Sequence, residues 1–337
     1  DENMIAFYAS TNRSPHNLFL LDIPELRVRQ LTSALSPEID SNDLLEAETV
    51  RFASFDGMQI PGLLFKPRGA SAANKVPALV WVHGGPGGQA RNEFNPLIQY
   101  LANHGYAVFA INNRGSSGYG KAFFTADDRK HGQADLDDCV ASKAMLIATG
   151  YVDPERIGII GKSYGGYLTL AAMTFRPEEF AVGVNLFGIS DWIHTLNNMP
   201  AWWESLRQAL YTEIGHPEKD KDYLKSISPR FHAENIVNPV MVLQGSNDPR
   251  VSKSSSDSMV AALERNDTPV EYLVFEDEGH RLSKKANRLR AYESILSFLD
   301  KHLMQRQTIS NRLAKQLKKY SSSDPKKQDF RPTISHE

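Results

Sequence analysis

Residues 157–166 read Ile157-Gly158-Ile159-Ile160-Gly161-Lys162-Ser163-Tyr164-Gly165-Gly166. An apolar strand here leads into a G-x-S-x-G motif, and a helical segment, Gly165 to Phe175, follows it. In that context the motif predicts a sharp strand-to-helix turn that exposes the serine hydroxyl at a helix N-terminus. Glycine is needed beside the serine because a Cβ there would collide with neighbouring backbone. Ser163 is therefore the candidate nucleophile.

Two other interpretations of this motif exist. Gly161-Lys162-Ser163 resembles the end of a phosphate-binding loop, but that loop needs glycine at position 156, which is Arg156 here. A glycine turn with a purely structural role is the second alternative. Partners of a catalytic serine elsewhere in the chain would argue against this structural interpretation.

From Pro77 onward, apolar strands alternate with helical segments, which is typical of a parallel sheet covered by helices on both faces. The predicted strands are Ala78–Val82, Ala107–Asn112, Ile157–Ile160, Ala181–Leu186, Val240–Gln244 and Val270–Phe275. The main predicted helices are Asp135–Thr149, Gly165–Phe175, Ser255–Glu264 and Lys284–Leu303. The fold class is thus α/β, with a mostly parallel, doubly wound sheet.

The partners of Ser163 follow later strands of this sheet. A serine of ordinary pKa needs a base, and the base needs an orienting carboxylate. Asp248 follows the strand Val240–Gln244, and His280 follows the next strand, so both are expected at the carboxyl edge of the sheet. The order Ser, Asp, His is that of the α/β-hydrolase fold. Asp277 and His232 are the competing candidates; Asp277 could cap a loop, and His232 follows no strand.

A glycine-rich segment, His83-Gly84-Gly85-Pro86-Gly87-Gly88, comes directly after the strand Ala78–Val82. Free backbone N–H groups there, together with the N–H of Tyr164, would form an oxyanion hole to which His83 and Gly84 contribute. Whether His83 offers its side chain or only its backbone stays open. The alternative is a glycine-rich turn that binds no ligand.

The chain divides into three predicted parts. Residues 1–45 contain short β-type runs and form a β-strand segment, residues 46–304 form the hydrolase domain, and residues 305–337 form a polar, basic tail. Glu48–Phe55 and Met58–Phe65, joined by the hairpin signal Asp56-Gly57, are expected to be antiparallel edge strands. Asp191–Ile236 is expected to be an insertion over the carboxyl edge of the sheet, where ligands bind in such folds.

The composition excludes several function classes. Lys and Arg number 38 against 40 Asp and Glu, so no overall field favours nucleic acid or a membrane surface. Cys139 is the only cysteine, which excludes internal disulfides and cysteine metal clusters. The histidines show no ligand spacing for a metal, and no cofactor is expected. No apolar run reaches the roughly 18 residues of a membrane span.

The chain opens at Asp1 rather than at Met, which leaves open a missing leader or upstream region. A cytoplasmic location is expected, with a periplasmic or secreted one as alternatives, and a homo-oligomer is left open. With an intact Ser, Asp and His set, hydrolysis is expected. A carboxylesterase and a non-catalytic binding protein of the same fold remain as rivals.

The sequence also resembles the prolyl oligopeptidase family of serine peptidases, in its acylaminoacyl peptidase and dipeptidyl peptidase IV-like branch. The matching segments are His83-Gly84-Gly85-Pro86, Asn113–Gly120, Asp153–Ile157, Gly161–Tyr167, Gly245–Val251 and Glu278-Gly279-His280. An ordered set of this kind is much more specific than any single motif.

The resemblance implies cleavage of short peptides through an acyl-enzyme, with Ser163, Asp248 and His280 as the triad. It implies that Trp192 and Val251 line the pocket for the residue before the scissile bond, with Tyr167 and Arg250 as further substrate-binding candidates. In several relatives a tyrosine stands where this chain has His83, and its hydroxyl completes the oxyanion hole. Family members carry a β-propeller before the catalytic domain, so the resemblance implies that residues 1–45 are its remnant. It does not separate exopeptidase from oligopeptidase activity.

Overall fold

The computed structural model describes residues 3–304, and the basic tail predicted at 305–337 lies outside these residues. The strands are β1 Met4–Thr11, β2 Ser14–Asp22, β3 Arg27–Gln30, β4 Glu48–Ala53, β5 Gln59–Phe65, β6 Val76–Val82, β7 Ala107–Ile111, β8 Val152–Lys162, β9 Gly183–Leu186, β10 Val240–Gly245 and β11 Val270–Phe275. The α-helices are α1 Pro96–Asn103, α2 Lys121–Phe124, α3 Ala134–Ala148, α4 Tyr164–Phe175, α5 Trp192–Asn197, α6 Glu204–Glu213, α7 Lys221–Ser226, α8 Lys253–Arg265 and α9 Lys285–Leu299. Short 3₁₀ turns cover Ser41–Asp43, Ala201–Trp203 and Pro229–Asn235, and a π-helical turn, Asp300–Met304, follows α9.

The main sheet has eight strands in the order β11-β10-β9-β8-β6-β7-β5-β4. The six strands from β6 to β11 are parallel to their neighbours, and β4 and β5 join antiparallel at one end. The predicted α/β class and all six predicted parallel strands are therefore confirmed. The expectation of two edge strands was wrong for β5, because it pairs with β7 on its other side and leaves only β4 at the edge.

Two hydrophobic cores lie on opposite faces of this sheet, as strand periodicity requires. Along β6, Leu79 packs in the core shared with α1 and α9, whereas Val80 packs in the core shared with α3, α4 and α8. Because both faces are covered, the central strands are almost continuously apolar. Cys139 of α3 is fully buried, as expected of a core thiol.

The first three strands form a separate antiparallel sheet in the order β1-β2-β3. Strands β1 and β2 correspond to the short β-type runs expected in residues 1–45, and they pair as a hairpin. The third strand, with four exposed residues and no alternation, was not predicted. Asn12 fixes this sheet to the main domain, since its backbone carbonyl accepts a hydrogen bond from Gln99 of α1 at 2.9 Å. The boundary predicted after residue 45 stays a prediction.

The segment Asp191–Ile236 contains α5, α6 and α7 and two of the 3₁₀ turns. It leaves the sheet at the carboxyl end of β9, and several of its residues between Trp192 and Ile214 line a cavity beside Ser163, as expected for an insertion over this edge. Among residues 3–304, no helix combines the length and the apolar character that a membrane span requires.

Candidate active site

Ser163 lies at the turn between β8 and α4 with φ of 59°, a left-handed conformation that is rare for a residue with a side chain. The turn is this sharp because backbone packs tightly around it. A Cβ on Gly161 would lie 2.2 Å from the carbonyl oxygen of Gly165, and one on Gly165 would lie 2.1 Å from that of Val82. The strained turn presents the Ser163 hydroxyl above the sheet, as the motif predicts.

Asp248 and His280 meet this hydroxyl. His280 Nε2 lies 2.9 Å from Ser163 Oγ, and His280 Nδ1 lies 2.7 Å from Asp248 Oδ2. The carboxylate fixes the tautomer in which Nδ1 carries the proton, so Nε2 is left as an acceptor for the serine proton. The three side chains thus form one hydrogen-bonded line, although His280 is 117 positions from Ser163 and 32 positions from Asp248 in the chain.

The carboxylate of Asp248 is held by the loop after β10. Its Oδ1 accepts hydrogen bonds from the backbone N–H groups of Arg250 and Val251, at 2.8 and 3.0 Å. Gln244, fully buried at the end of β10, donates to the carbonyl of Val251 at 3.0 Å and accepts from Ser256 at 2.8 Å. This support was not predicted, because it depends on how α8 packs against β10.

Glu278 holds the loop that carries His280. It is buried, and its carboxylate accepts hydrogen bonds from Ser283, Lys284 and Asn287. Burial by itself would raise the pKa of Glu278, but these hydrogen bonds outweigh it and lower the pKa to about 2. Glu278 is therefore an ionised anchor for the loop.

The two competitors for the triad lie elsewhere. Asp277 is exposed, and its carboxylate pairs with Lys284 at 2.5 Å and accepts from Asn287 at 2.9 Å, which is a loop-stabilising role. His232 packs its ring against Phe175 with centroids 5.6 Å apart. Neither contacts Ser163.

The predicted oxyanion residues surround Ser163. Tyr164 is the first residue of α4, so its N–H has no acceptor within the helix. Gly84 lies against the nucleophile, since a Cβ at Gly84 would stand 3.3 Å from Ser163 Cβ. The ring of His83 faces elsewhere: Nε2 lies 2.8 Å from Ser116 Oγ, and Nδ1 lies 2.8 Å from the Gly84 carbonyl oxygen. The imidazole of His83 is thus occupied, and burial lowers its pKa.

A buried polar group lies behind the nucleophile and was missed by sequence reasoning. The hydroxyl of Tyr164 donates to Asp135 and lies 2.5 Å from His131 Nδ1. The ligand atoms of Asp127, His131 and Asp135 all lie within 4.8 Å of one another, an arrangement that could also hold a metal ion. The Tyr164 hydroxyl bridges Asp135 and His131, whereas the carboxylate oxygens of Asp127 have no hydrogen-bond partner among the described residues, and Asp127 Oδ2 lies 3.5 Å from His131 Nδ1. We therefore interpret the group as a buried polar network. The four-residue spacing of Asp127, His131 and Asp135 was the available signal.

Titration in this network is strongly perturbed. Burial, followed by the charges of Asp135 and Glu213, raises the pKa of Asp127 to about 8. Burial also raises the pKa of Asp135 to about 7, despite the hydrogen bond from Tyr164. Burial lowers the pKa of His131 to about 4. Neutral forms are therefore favoured for Asp127 and His131 at neutral pH.

An apolar cavity of about 130 Å³ opens beside Ser163. Trp192, Arg250 and Val251, three of the predicted pocket residues, line it. The other side chains on its wall come mainly from the insertion; they are Ile189, Thr195, Leu196, Met199, Trp203, Leu206, Leu210 and Ile214. The sequence did not single these out, because the insertion has no regular pattern.

Tyr167, the fourth predicted pocket residue, does not line this cavity. It is fully buried behind Trp192, with ring centroids 5.0 Å apart and nearly perpendicular planes, and its hydroxyl donates to the carbonyl of Ile227 at 3.0 Å. The reason is its position on the inner side of α4. Its contact with Trp192 makes it a support for the indole.

Models of two protein families match parts of the chain. The model of the prolyl oligopeptidase family matches residues 92–306, well over half of the chain. A model of acetyl xylan esterases matches residues 17–135, a stretch that ends before any triad residue. The chain is 35% identical over 267 residues to dipeptidyl aminopeptidase BIII of Pseudoxanthomonas mexicana. The aligned region covers 77% of this chain and 39% of that protein.

Solved structures show the same likeness. A puromycin-hydrolyzing peptidase of Mycobacterium tuberculosis superposes with a TM-score of 0.83 at 30% identity, over 89% of this chain and 46% of that one. An acylaminoacyl peptidase of Pyrococcus horikoshii superposes with a TM-score of 0.81 at 26% identity, over 90% of this chain and 49% of that one. The chain thus spans less than half the length of these relatives.

Proposed function

The chain belongs to the prolyl oligopeptidase family, and from this premise we propose that it is a serine peptidase that hydrolyses short peptides through an acyl-enzyme on Ser163. The observation that carries the proposal is the line of hydrogen bonds from Ser163 through His280 to Asp248, at 2.9 and 2.7 Å. A nucleophile, a base and an orienting carboxylate in this order are the machinery of acyl transfer.

In the first half of the reaction, Ser163 Oγ attacks the peptide carbonyl while His280 Nε2 takes its proton. Asp248 holds the imidazole in place and stabilises the positive charge that forms on it. His280 then gives the proton to the departing amine, and the carbonyl carbon stays bonded to Ser163. In the second half, His280 activates water, which attacks this ester and releases the acid.

The negative charge on the carbonyl oxygen is assigned to backbone donors. These donors are the N–H of Tyr164, at the first position of α4, and the backbone of the His83-Gly84 segment, which lies against Ser163. The side chain of His83 has partners at both nitrogens and keeps this segment in position through Ser116. We therefore assign His83 a backbone role.

The substrate is proposed to place an apolar side chain in the cavity beside Trp192. The walls of this cavity are aliphatic or aromatic except for Thr195 and Arg250, and the guanidinium of Arg250 lies over Trp202 and Trp203 at 5.5 and 5.7 Å. The relatives whose names mention dipeptidyl aminopeptidase, acylaminoacyl peptidase and puromycin hydrolysis support short amide substrates.

The test is labelling by a fluorophosphonate, with Ser163→Ala as the variant and Ser246→Ala as the control. Ser246 also follows a strand at the carboxyl edge of the sheet, but its hydroxyl donates to Glu276. We expect labelling of the wild type and of Ser246→Ala and none of Ser163→Ala. Labelling that persists in Ser163→Ala would refute the assignment.

Peptide anilides with free and with acetylated amino termini, compared with a nitrophenyl ester, identify the substrate class. Turnover of anilides supports a peptidase, and the preferred terminus gives its branch. Turnover of the ester alone would favour a carboxylesterase, and a folded chain without labelling or turnover would favour a binding protein.

A further inference from the structure

Two cations without ion-pair partners among residues 3–304 are chain neighbours of the triad. Lys162 directly precedes Ser163 and is half-buried, and Arg281 directly follows His280. Burial lowers the pKa of the Lys162 ammonium, and the nearby charges of Arg281 and Arg250 lower it further, against the opposite effect of Asp248. These cations are therefore close enough to repel one another.

Within residues 3–304, Lys162, Arg281 and the neighbouring Arg288 form no ion pair. Lys162 is half-buried, whereas Arg281 and Arg288 are exposed, and the lack of an ion pair at Lys162 contrasts with other half-buried or buried cations of the chain. Arg114 pairs with two aspartates, and Lys143 pairs with Glu179 at 2.6 Å. The half-buried Lys162 loses part of its hydration without gaining a counterion, so an anion that binds beside it and the two exposed arginines would be attracted by all three charges.

The three cations line one groove of about 290 Å³. Its remaining surface is mainly apolar and includes Trp81, Leu282 and Tyr292, and none of its lining residues is Asp or Glu. The groove therefore suits an apolar or aromatic group that carries a negative charge.

Phe187 fixes the position of the groove relative to the triad. It lies at the end of β9 in a left-handed conformation, φ 54°, which only a well-packed environment maintains. Its ring is 6.1 Å from that of His280, and the Lys162 ammonium lies 6.0 Å from its centroid. The groove thus begins beside the catalytic histidine.

The leaving group needs a place separate from the acyl side chain. The cavity beside Trp192 shares no lining residue with the groove and is the place for the acyl side chain. The departing amine must come within reach of His280 Nε2, because that nitrogen protonates it. The groove begins beside His280 and is separate from the cavity beside Trp192, so it is available to the residues that follow the scissile bond.

We propose that this groove binds the leaving part of the substrate and that Lys162, Arg281 and Arg288 hold its free α-carboxylate. The proposal rests on the proposed peptidase function. Arginine binds carboxylates with two parallel hydrogen bonds, and such charge-assisted bonds are stronger than neutral ones. Because an extended residue spans only about 3.3–3.6 Å, the carboxylate belongs to the first or second residue after the scissile bond. The enzyme would accordingly favour peptides that end there.

The experiment uses peptides with one acyl half, chosen from the best anilide, and three leaving parts of equal length. The first ends in a free acid, the second in an amide, and the third is an amide with an aspartate side chain. We expect kcat/KM for the free acid to exceed that for the plain amide by about tenfold or more, from one well-placed charged hydrogen bond. Equal values, or a gain for the aspartate amide alone, would overturn the proposal.

Three variants localise the effect. Lys162→Met, Arg281→Met and Arg288→Met should each bring the acid-to-amide ratio closer to one. Arg265→Met removes the same charge from the exposed end of α8, outside the groove, and should keep the wild-type ratio. A ratio that none of the three variants changes, or that Arg265→Met lowers equally, would contradict the assignment.

Binding to Ser163→Ala separates this proposal from the proposed function. Calorimetry with the acid and amide peptides needs no turnover. About tenfold tighter binding of the acid supports the groove even if the wild type cleaves no peptide. Equal binding overturns the groove even if the wild type is an active peptidase.

Discussion

The hydroxyl of Tyr164, the residue directly after the nucleophile, donates a hydrogen bond to the fully buried carboxylate of Asp135. One residue thus offers its backbone N–H to the reaction side and its side chain to a network inside the protein. Asp127 and His131 complete this network.

The network predicts a stability that depends on pH. The folded-state pKa of Asp127 is raised to about 8 from 3.8. A raised pKa contributes stability that is fully present below the unfolded pKa and is lost as pH rises through the folded pKa. Asp135 and Glu213, with pKa values raised to about 7, act in the same direction. The pKa of His131 is lowered to about 4 from 6.5, so its contribution to stability rises with pH, but only below the unfolded pKa of 6.5.

We therefore expect the Tm of the wild type to fall between about pH 5 and pH 8 and to level off above about pH 8, and Asp127→Asn to flatten this fall. Thermal unfolding of both proteins across this range measures it. Asp222→Asn, which removes an exposed aspartate of α7, should leave the slope unchanged. An equal slope in wild type and Asp127→Asn would contradict the assigned titration.

Tyr164→Phe removes the hydroxyl but keeps the backbone N–H. The buried carboxylate of Asp135 then lacks this donor, and we expect the free energy of unfolding to drop by about 1–3 kcal/mol. Because the oxyanion donor is retained, the rate of fluorophosphonate labelling should change by less than about threefold. Urea unfolding and labelling kinetics measure the two effects.

Tyr272→Phe is the control for this variant, since the hydroxyl of Tyr272 donates to the exposed Asp257 at 2.7 Å. Its unfolding free energy should fall by less than about 1 kcal/mol. A larger loss in Tyr272→Phe than in Tyr164→Phe would show that the buried network does not stabilise the fold.

Asp248→Asn tests the triad against its competitor in the sequence. An asparagine leaves the shape intact but favours the wrong imidazole tautomer, so kcat should fall by about 10⁴-fold. Asp277→Asn changes an exposed aspartate of the loop before His280, and its kcat should stay within about twofold of the wild type. Turnover of the best anilide measures both; a comparable loss in the two variants would contradict the geometry.

The cavity beside Trp192 predicts a preference for apolar residues before the scissile bond. Leucine fills its aliphatic walls better than alanine, and each buried CH₂ is worth about 0.8 kcal/mol. We expect kcat/KM for a leucyl anilide to exceed that for an alanyl anilide by at least about tenfold, and lysine to be rejected by these walls and by Arg250. A lysyl anilide cleaved as well as the leucyl one would contradict the assignment of the cavity.

Local patterns were sufficient for the sheet and the triad. Alternation of apolar runs with helical segments predicted all six parallel strands. The positions of Ser163, Asp248 and His280 after β8, β10 and β11 predicted their meeting at one edge. The physical reason is that parallel strands end at the same edge, so a residue after each strand is placed by topology alone.

Contacts between distant segments decided the rest. The sequence could not place Tyr167 behind Trp192, because the outcome depends on how α4 and the insertion pack. Nor could it show that Asp127, His131 and Asp135 gather around Tyr164. It also gave no sign that Lys162, Arg281 and Arg288 line one groove without ion-pair partners among residues 3–304. By itself the sequence determined where the strands lie along the chain and which reactive residue follows each of them. Only the tertiary structure decided which side chains are buried, paired or left free, because burial and charge depend on neighbours that are remote in sequence.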